Sequence, residues 1–218
     1  MEKEREEQVI SLCQKLIQQK SYSGEESGVV GVLSENMKQM GFDEVTVDKY
    51  GNIIGCIKGN RPGKKVLFDG HIDTVPVTEE AEWLYPPFAA EIHDGKIYGR
   101  GTSDMKGAVA AMTCAASNYA KDTGKDFAGE IYVAGVVHEE CFEGVAAREI
   151  SKNVRPDYVV IGEASQLNLK IGQRGRAEIV IETFGKPCHS ANPEKGINAV
   201  YKMAKVIEAI RTLVPTYH

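Results

Sequence analysis

The segment Ile131-Tyr132-Val133-Ala134-Gly135-Val136-Val137 carries no polar residue at every second place, as a strand with one wet face would. A run of this kind suits a central strand whose sheet is covered by helices on both sides. Tyr158-Val159-Val160-Ile161 is a second such run and Val66-Leu67-Phe68 a third. Stripes at helical spacing lie around them. Val9, Ile10, Leu12, Cys13, Leu16 and Ile17 form one, and Val29, Val32, Leu33, Met37 and Met40 another, opened by Gly24-Glu25-Glu26-Ser27 and closed by Gly41. The Ala-rich stretch Met105 to Tyr119 is a third helix, its small side chains allowing close approach to a sheet. Strands alternating with helices predict an α/β fold: a mostly parallel or mixed central sheet flanked by helices, with a crevice beyond the carboxyl ends of the strands.

Val45 and Val47, then Ile53, Ile54, Cys56 and Ile57, read as strand segments joined by a hairpin at Tyr50-Gly51-Asn52. Near Gly172 the pattern changes. Arg176 to Thr183 alternates apolar and polar residues, predicting a strand with one exposed face. A helix from about Ile197 to Leu213 follows, with Val200, Met203, Ala204, Ile207 and Ile210 on one stripe and Pro215 as its stop. Residues 1–172 are therefore expected to form one domain and 173–218 the beginning of a small α+β domain. The 218 residues suffice for one full core and part of another.

A formal net charge of -5 and a 26% charged fraction fit a globular chain and argue against nucleic-acid phosphates as partners. The densest basic cluster, Arg61-Pro62-Gly63-Lys64-Lys65, reads as a solvated turn. The charged start Met1 to Glu7 lacks the apolar centre of a signal peptide, and no run approaches the roughly 18 apolar residues of a membrane span. A cytoplasmic location without membrane contact is expected. Five cysteines with no C-x-x-C pair suit buried thiols in a reducing compartment.

Four short motifs carry the chemistry: Gly70-His71-Ile72-Asp73, Gly101-Thr102-Ser103-Asp104, His138-Glu139-Glu140 and Gly162-Glu163. Three of them follow directly on apolar strand runs. Histidine and several carboxylates brought to one sheet edge read as a two-metal hydrolytic centre. Such a centre needs divalent ions roughly 3.5 to 4 Å apart, a carboxylate to bridge them, and a free carboxylate to move protons. Imidazole and carboxylate ligands favour zinc, with cobalt or manganese tolerated. Other readings are weaker. Cys188 and His189 are chain neighbours that point to opposite faces when extended, so they make a poor thiol and base pair. Gly99-Arg100-Gly101 fits no phosphate-loop spacing. Trp83 to Phe88 reads as a packed loop, and His93 as a hairpin-turn residue.

Phe68-Asp69-Gly70-His71-Ile72-Asp73-Thr74-Val75-Pro76 and Tyr98-Gly99-Arg100-Gly101-Thr102-Ser103-Asp104-Met105-Lys106-Gly107 resemble the two metal motifs of the M20 family of metallopeptidases and deacylases, the group that holds acetylornithine deacetylase and succinyl-diaminopimelate desuccinylase. Carried over by position, the resemblance implies that His71 binds one metal ion and that Asp73 orients its imidazole. It makes Asp104 the bridge, Glu139 the general base, Glu140 a ligand of the other ion and Glu163 the carboxylate partner of His71. His138 stands where many family members have Asp. The Asp104-Met105 peptide is expected to be cis. Gly185 to Ser190 and Gly196 to Ala199 resemble the start of the family's dimerisation or lid domain, so His189 would bind substrate at a neighbouring subunit's site in a homodimer.

The implied reaction is hydrolysis of an amide bond in a small N-acylated amino acid or short peptide. The family pattern runs on well past the position of His218, with the rest of the lid and one more metal-binding histidine. The two ions are therefore expected to be unequally held: one by His71, Asp104 and Glu163, the other by Asp104 and Glu140 alone. The competing expectation is a shortened homologue, or the first half of a split hydrolase, that binds at most one metal and needs a partner polypeptide. Its strand edges and an apolar helix face would lie uncovered.

Overall fold

The computed structural model describes residues 2–142, 144–173, 175 and 177–214. The chain divides into two compact units, Met1–Leu169 and Lys170–His218.

The first unit is built on a five-stranded mixed sheet. Its strands are β1 (Glu44–Val47), β2 (Ile53–Lys58), β3 (Arg61–His71), β6 (Ala128–Val136) and β7 (Tyr158–Ile161), in the order β1-β2-β6-β3-β7. A separate hairpin joins β4 (Glu91–His93) to β5 (Lys96–Tyr98). β2 runs antiparallel to β1 and β6, whereas β6, β3 and β7 are mutually parallel. The parallel register pairs Phe68 with Val133 and Val160, and His71 with Val136, so these three strands end at the same side of the sheet.

The central position of β6 follows from its sequence: Val133 and Ala134, adjacent and thus on opposite faces, are both 0% exposed. Helix α1 (Glu2–Gln18) buries Leu12, Cys13, Leu16 and Ile17, and α2 (Ser27–Gln39) buries Val29, Leu33 and Met37 before Gly41 turns the chain at φ +88°. α3 (Gly107–Thr123) lies against α1, β3 and β6, and α4 (Val145–Val154) against β6. Gly70 permits the approach of α3. A Cβ there would stand 2.7 Å from Met105 Cε and 2.8 Å from Val109 Cγ2.

Three expectations are corrected. Arg61 to Lys65 do not form a turn; they open β3, exposed and bulged against β6, because the bulge between Arg61 and Lys65 absorbs Pro62 and Gly63 without breaking the ladder. Cys141 and Cys188 are exposed, although Cys13, Cys56 and Cys114 are buried as free thiols. No strand forms over 177–183, and Arg176 lies outside the described residues. Alternation alone cannot hold a strand that has no ladder partner, and Ile179 and Val180 stay exposed.

The second unit's described order is a 3-10 turn at Pro193–Lys195, an isolated antiparallel bridge between Lys186 and Ile197, and α5 (Ala199–Arg211). Asn198 caps α5 by accepting from Val200 N and Tyr201 N. Its apolar stripe is open, with Val200, Ile207 and Ile210 all exposed. In the first unit, β7 forms one edge of the sheet with all four residues exposed.

Candidate metal centre

The carboxyl ends of β3, β6 and β7 deliver His71, the His138-Glu139-Glu140 turn and Glu163 to one side of the sheet. Asp104 arrives from elsewhere, in the loop between β5 and α3. There Gly101 takes φ +86°, Asp104 and Met105 leave helical geometry, and the Asp104-Met105 peptide is cis, as the resemblance implied. A residue with a Cβ is disfavoured at Gly101 by that left-handed backbone, and it would also meet Thr74 Cγ2 at 2.8 Å.

His71 is 2% exposed. Its Nδ1 donates to the Asp73 backbone carbonyl at 2.9 Å, with the nearer Asp73 carboxylate oxygen at 3.6 Å. The ring is therefore oriented mainly by a peptide oxygen rather than by the carboxylate. Nε2 faces Asp104 Oδ1 at 2.8 Å and Glu163 Oε1 at 3.6 Å. Asp73, 0% exposed, spends its carboxylate elsewhere. Oδ2 accepts from Ser23 Oγ at 2.6 Å and from Glu140 N at 3.2 Å, and Oδ1 accepts from Glu139 N at 3.1 Å. Asp73 thus ties the first motif to the third.

His71, Asp104 and Glu140 each place one ligand atom within 4.8 Å of the others, and so do His71, Glu139 and Glu163. All five residues are brought together, although Glu139 here groups with His71 and Glu163 rather than standing apart from the ligand atoms. His189 belongs to the second unit, exposed, with its Nδ1 accepting from Ala191 N at 3.1 Å.

The electrostatics are those of carboxylates crowded around one imidazole. Burial alone would lower the His71 pKa, but hydrogen bonds to Asp73 and Asp104 and the charge of Glu163 outweigh it and push it up to about 10. Burial raises Glu139, helped by Glu163 and Glu140 against the pull of His71; burial and then Asp104 raise Glu140. Asp69, behind His71 on β3, is lifted to about 6 by burial and by Glu163. Asp73 goes the other way: burial opposes it, yet the nearby His71 ring and bonds from Ser23 and the Glu140 and Glu139 amides hold its pKa below the usual range. Lys106, buried two residues after Asp104, is lowered to about 8 by burial. It donates to Leu16 O at 3.0 Å and to Gln19 O at 2.8 Å, fastening the loop to the end of α1.

Ser23, Glu26, Asp69 and Lys106 were not singled out from sequence. The only signal for the first two was Ser23-Gly24-Glu25-Glu26, which also reads as an ordinary helix start. One imidazole with convergent carboxylates at this spacing fits zinc or a similar divalent ion. An ion there would offset both the burial of these charges and the repulsion among the carboxylates that together raise Glu139 and Glu140.

Fold and site together define an α/β protein with an acidic, histidine-bearing crevice at the carboxyl ends of parallel strands. A family model described as "Peptidase family M20/M25/M40" matches residues 67–216, and the chain belongs to that family. It is 37% identical over 195 residues to the uncharacterized protein YgeY of Escherichia coli (strain K12), covering 88% of this chain and 48% of that one. It is 30% identical over 211 residues to succinyl-diaminopimelate desuccinylase 2 of Ruegeria sp. (strain TM1040), covering 91% and 53%. The fold matches an M20 family metallo-carboxypeptidase from Sulfolobus solfataricus with a TM-score of 0.69 at 22% identity, over 91% of this chain and 48% of that chain. The chain spans about half the length of the curated relatives it matches. Among the described residues no helix is long and apolar enough to cross a membrane.

Proposed function

We propose that this chain is the metal-binding and proton-transferring part of a metal-dependent amide hydrolase acting on small N-acylated amino acids or short peptides. The observation that carries the reading is the convergence of Asp104, Glu139, Glu140 and Glu163 on the buried imidazole of His71. His71, Asp104 and Glu163 would hold one ion, and Asp104 and Glu140 the other, zinc being first choice. Two such ions polarise a scissile carbonyl and make water acidic enough to be deprotonated near neutral pH. Glu139, its pKa raised above the ordinary carboxylate value by burial, would accept a proton from water and return it to the leaving amine. Asp73 fixes the backbone from which Glu139 and Glu140 project and, through its carbonyl, the tautomer of His71. His189 of a second subunit would steady the developing oxyanion. The 1–172 and 173–218 division, a homodimer and a cytoplasmic location belong to this reading.

The second reading, a half that needs a partner polypeptide, is favoured by the exposed apolar edge strand Tyr158–Ile161. One experiment addresses both. The purified chain is loaded with zinc and offered a panel of N-succinyl and N-acetyl amino acids and dipeptides, alone and with the C-terminal half of a family member. Amide hydrolysis that disappears in Glu139→Gln, while zinc stays bound, supports the hydrolase. Activity only with the added half supports the second reading, and absence of zinc binding refutes both.

A further inference from the structure

The segment joining α1 to α2 contains none of the metal-motif residues, yet it touches the loops that carry three of the four motifs. Ser21 Oγ donates to Ile72 O at 2.7 Å, and Ser21 O accepts from Thr74 N at 2.9 Å. Ser23 Oγ donates to Asp73, and the carbonyls of Leu16 and Gln19 take the Lys106 ammonium. The third contact is the one the sequence least announces. Glu26 is 5% exposed, and its Oε1 accepts from Gly24 N at 3.0 Å and from His138 N at 3.0 Å. His138 Nδ1 stands 3.8 Å away, beyond hydrogen-bond distance.

A buried carboxylate needs such donors, and they fall at an informative place. His138 has φ +57°, the left-handed backbone that opens the turn, and its carbonyl accepts from Phe142 N at 2.9 Å. The next two amides, of Glu139 and Glu140, end on Asp73. Three successive amides are thus held by two buried carboxylates from different parts of the chain. Only the side chains of Glu139 and Glu140 remain free to face His71.

We propose that Glu26 is a positioning residue: by accepting the His138 amide it fixes the entry of the turn that presents Glu139 and Glu140. The clamp is a property of the fold itself, and its consequence for metal rests on the hydrolase reading above. It acts by accepting a hydrogen bond, so its chemistry separates two variants of similar volume. Glu26→Gln keeps a carbonyl acceptor, whereas Glu26→Met does not.

The test uses the full chain in two states. In the metal-free chain, amide exchange across residues 136–142 speeds up about tenfold or more in Glu26→Met, the factor expected for one lost hydrogen bond, and is largely restored in Glu26→Gln. Exchange in α3 stays as in the wild type. With zinc, Glu26→Met binds about 10 to 100 times more weakly, and the visible spectrum of the cobalt form changes, as when a group that orients a ligand is lost. Glu26→Gln again recovers both. A turn equally protected in Glu26→Met and wild type, or equally loose in both variants, overturns the proposal. Should the Met variant fail to fold, the His138 amide proton resonance decides: it moves in Glu26→Gln, because a carboxyl acceptor becomes a carboxamide, and an unmoved resonance refutes the contact. A wild-type chain that binds no zinc sinks the metal reading while leaving the exchange comparison to judge the clamp.

Discussion

On the proposed ligation, zinc would bind this centre only by expelling a proton from His71. The imidazole can ligate only when Nε2 is free, yet in the metal-free protein its pKa is pushed up to about 10 by Asp73, Asp104 and Glu163 against the effect of burial. At any pH below that value the metal competes with a proton, so the apparent association constant rises about tenfold per pH unit, or about 100-fold between pH 6 and 8. The sign is unambiguous: a raised histidine pKa makes binding weaker in acid and stronger in base, until the ring is neutral on its own. Glu139 and Glu140, also raised, steepen the slope only at the acid end. The assay is calorimetric titration of the chain with zinc at several pH values, each in buffers of different ionisation enthalpy, which counts protons released. Close to one proton per first ion bound at neutral pH is expected. A flat pH profile with no proton release would show that His71 either is neutral beforehand or is not a ligand.

Four further outcomes follow from the same contacts. Gly70→Ala drives a Cβ to 2.7 Å from Met105 Cε, 2.8 Å from Val109 Cγ2 and 3.0 Å from Met112 Cε, and urea unfolding should register a loss of about 1–3 kcal/mol from overpacking. Asp73→Asn leaves one acceptor oxygen where Ser23, Glu139 and Glu140 now supply three donors, so zinc affinity measured by chelator competition should fall about 10- to 100-fold. Lys106→Met strands the carbonyls of Leu16 and Gln19 and should cost about 1–3 kcal/mol in thermal unfolding. Glu139→Gln should leave the zinc content unchanged while lowering any amide hydrolysis by about 10²- to 10⁴-fold, the usual worth of a general base.

What the sequence revealed depended on whether the deciding contacts were local. The two-sided apolar run of β6 required a central strand, and Val133 and Ala134 bear it out, both at 0% exposure. The stripes of α1 and α2 were equally readable, since each helix packs one face on the core. α4 was not anticipated: its short stripe of Ala146, Ile150 and Val154 lies in a segment otherwise rich in charge. The strand expected from Arg176 to Thr183 does not form over its described residues 177–183, as period-two alternation needs a partner ladder to become a strand. Three of the four candidate motifs were legible because each follows a recognisable apolar run, whereas the Asp104 motif was read only from the family resemblance. Their supports were not legible. Glu26 meets the His138 amide across 112 residues, and Lys106 meets Leu16 across 90, pairings that no local pattern announces.

The central claim is that His71, Asp104, Glu140 and Glu163 gather divalent metal. Its most direct test is anomalous diffraction at the zinc edge from crystals of the chain grown with zinc. The account predicts a strong peak in contact with His71 Nε2 and with carboxylate oxygens of Asp104 and Glu163, and a weaker one between Asp104 and Glu140. Zinc bound elsewhere, or no peak within coordination distance of His71, would contradict it.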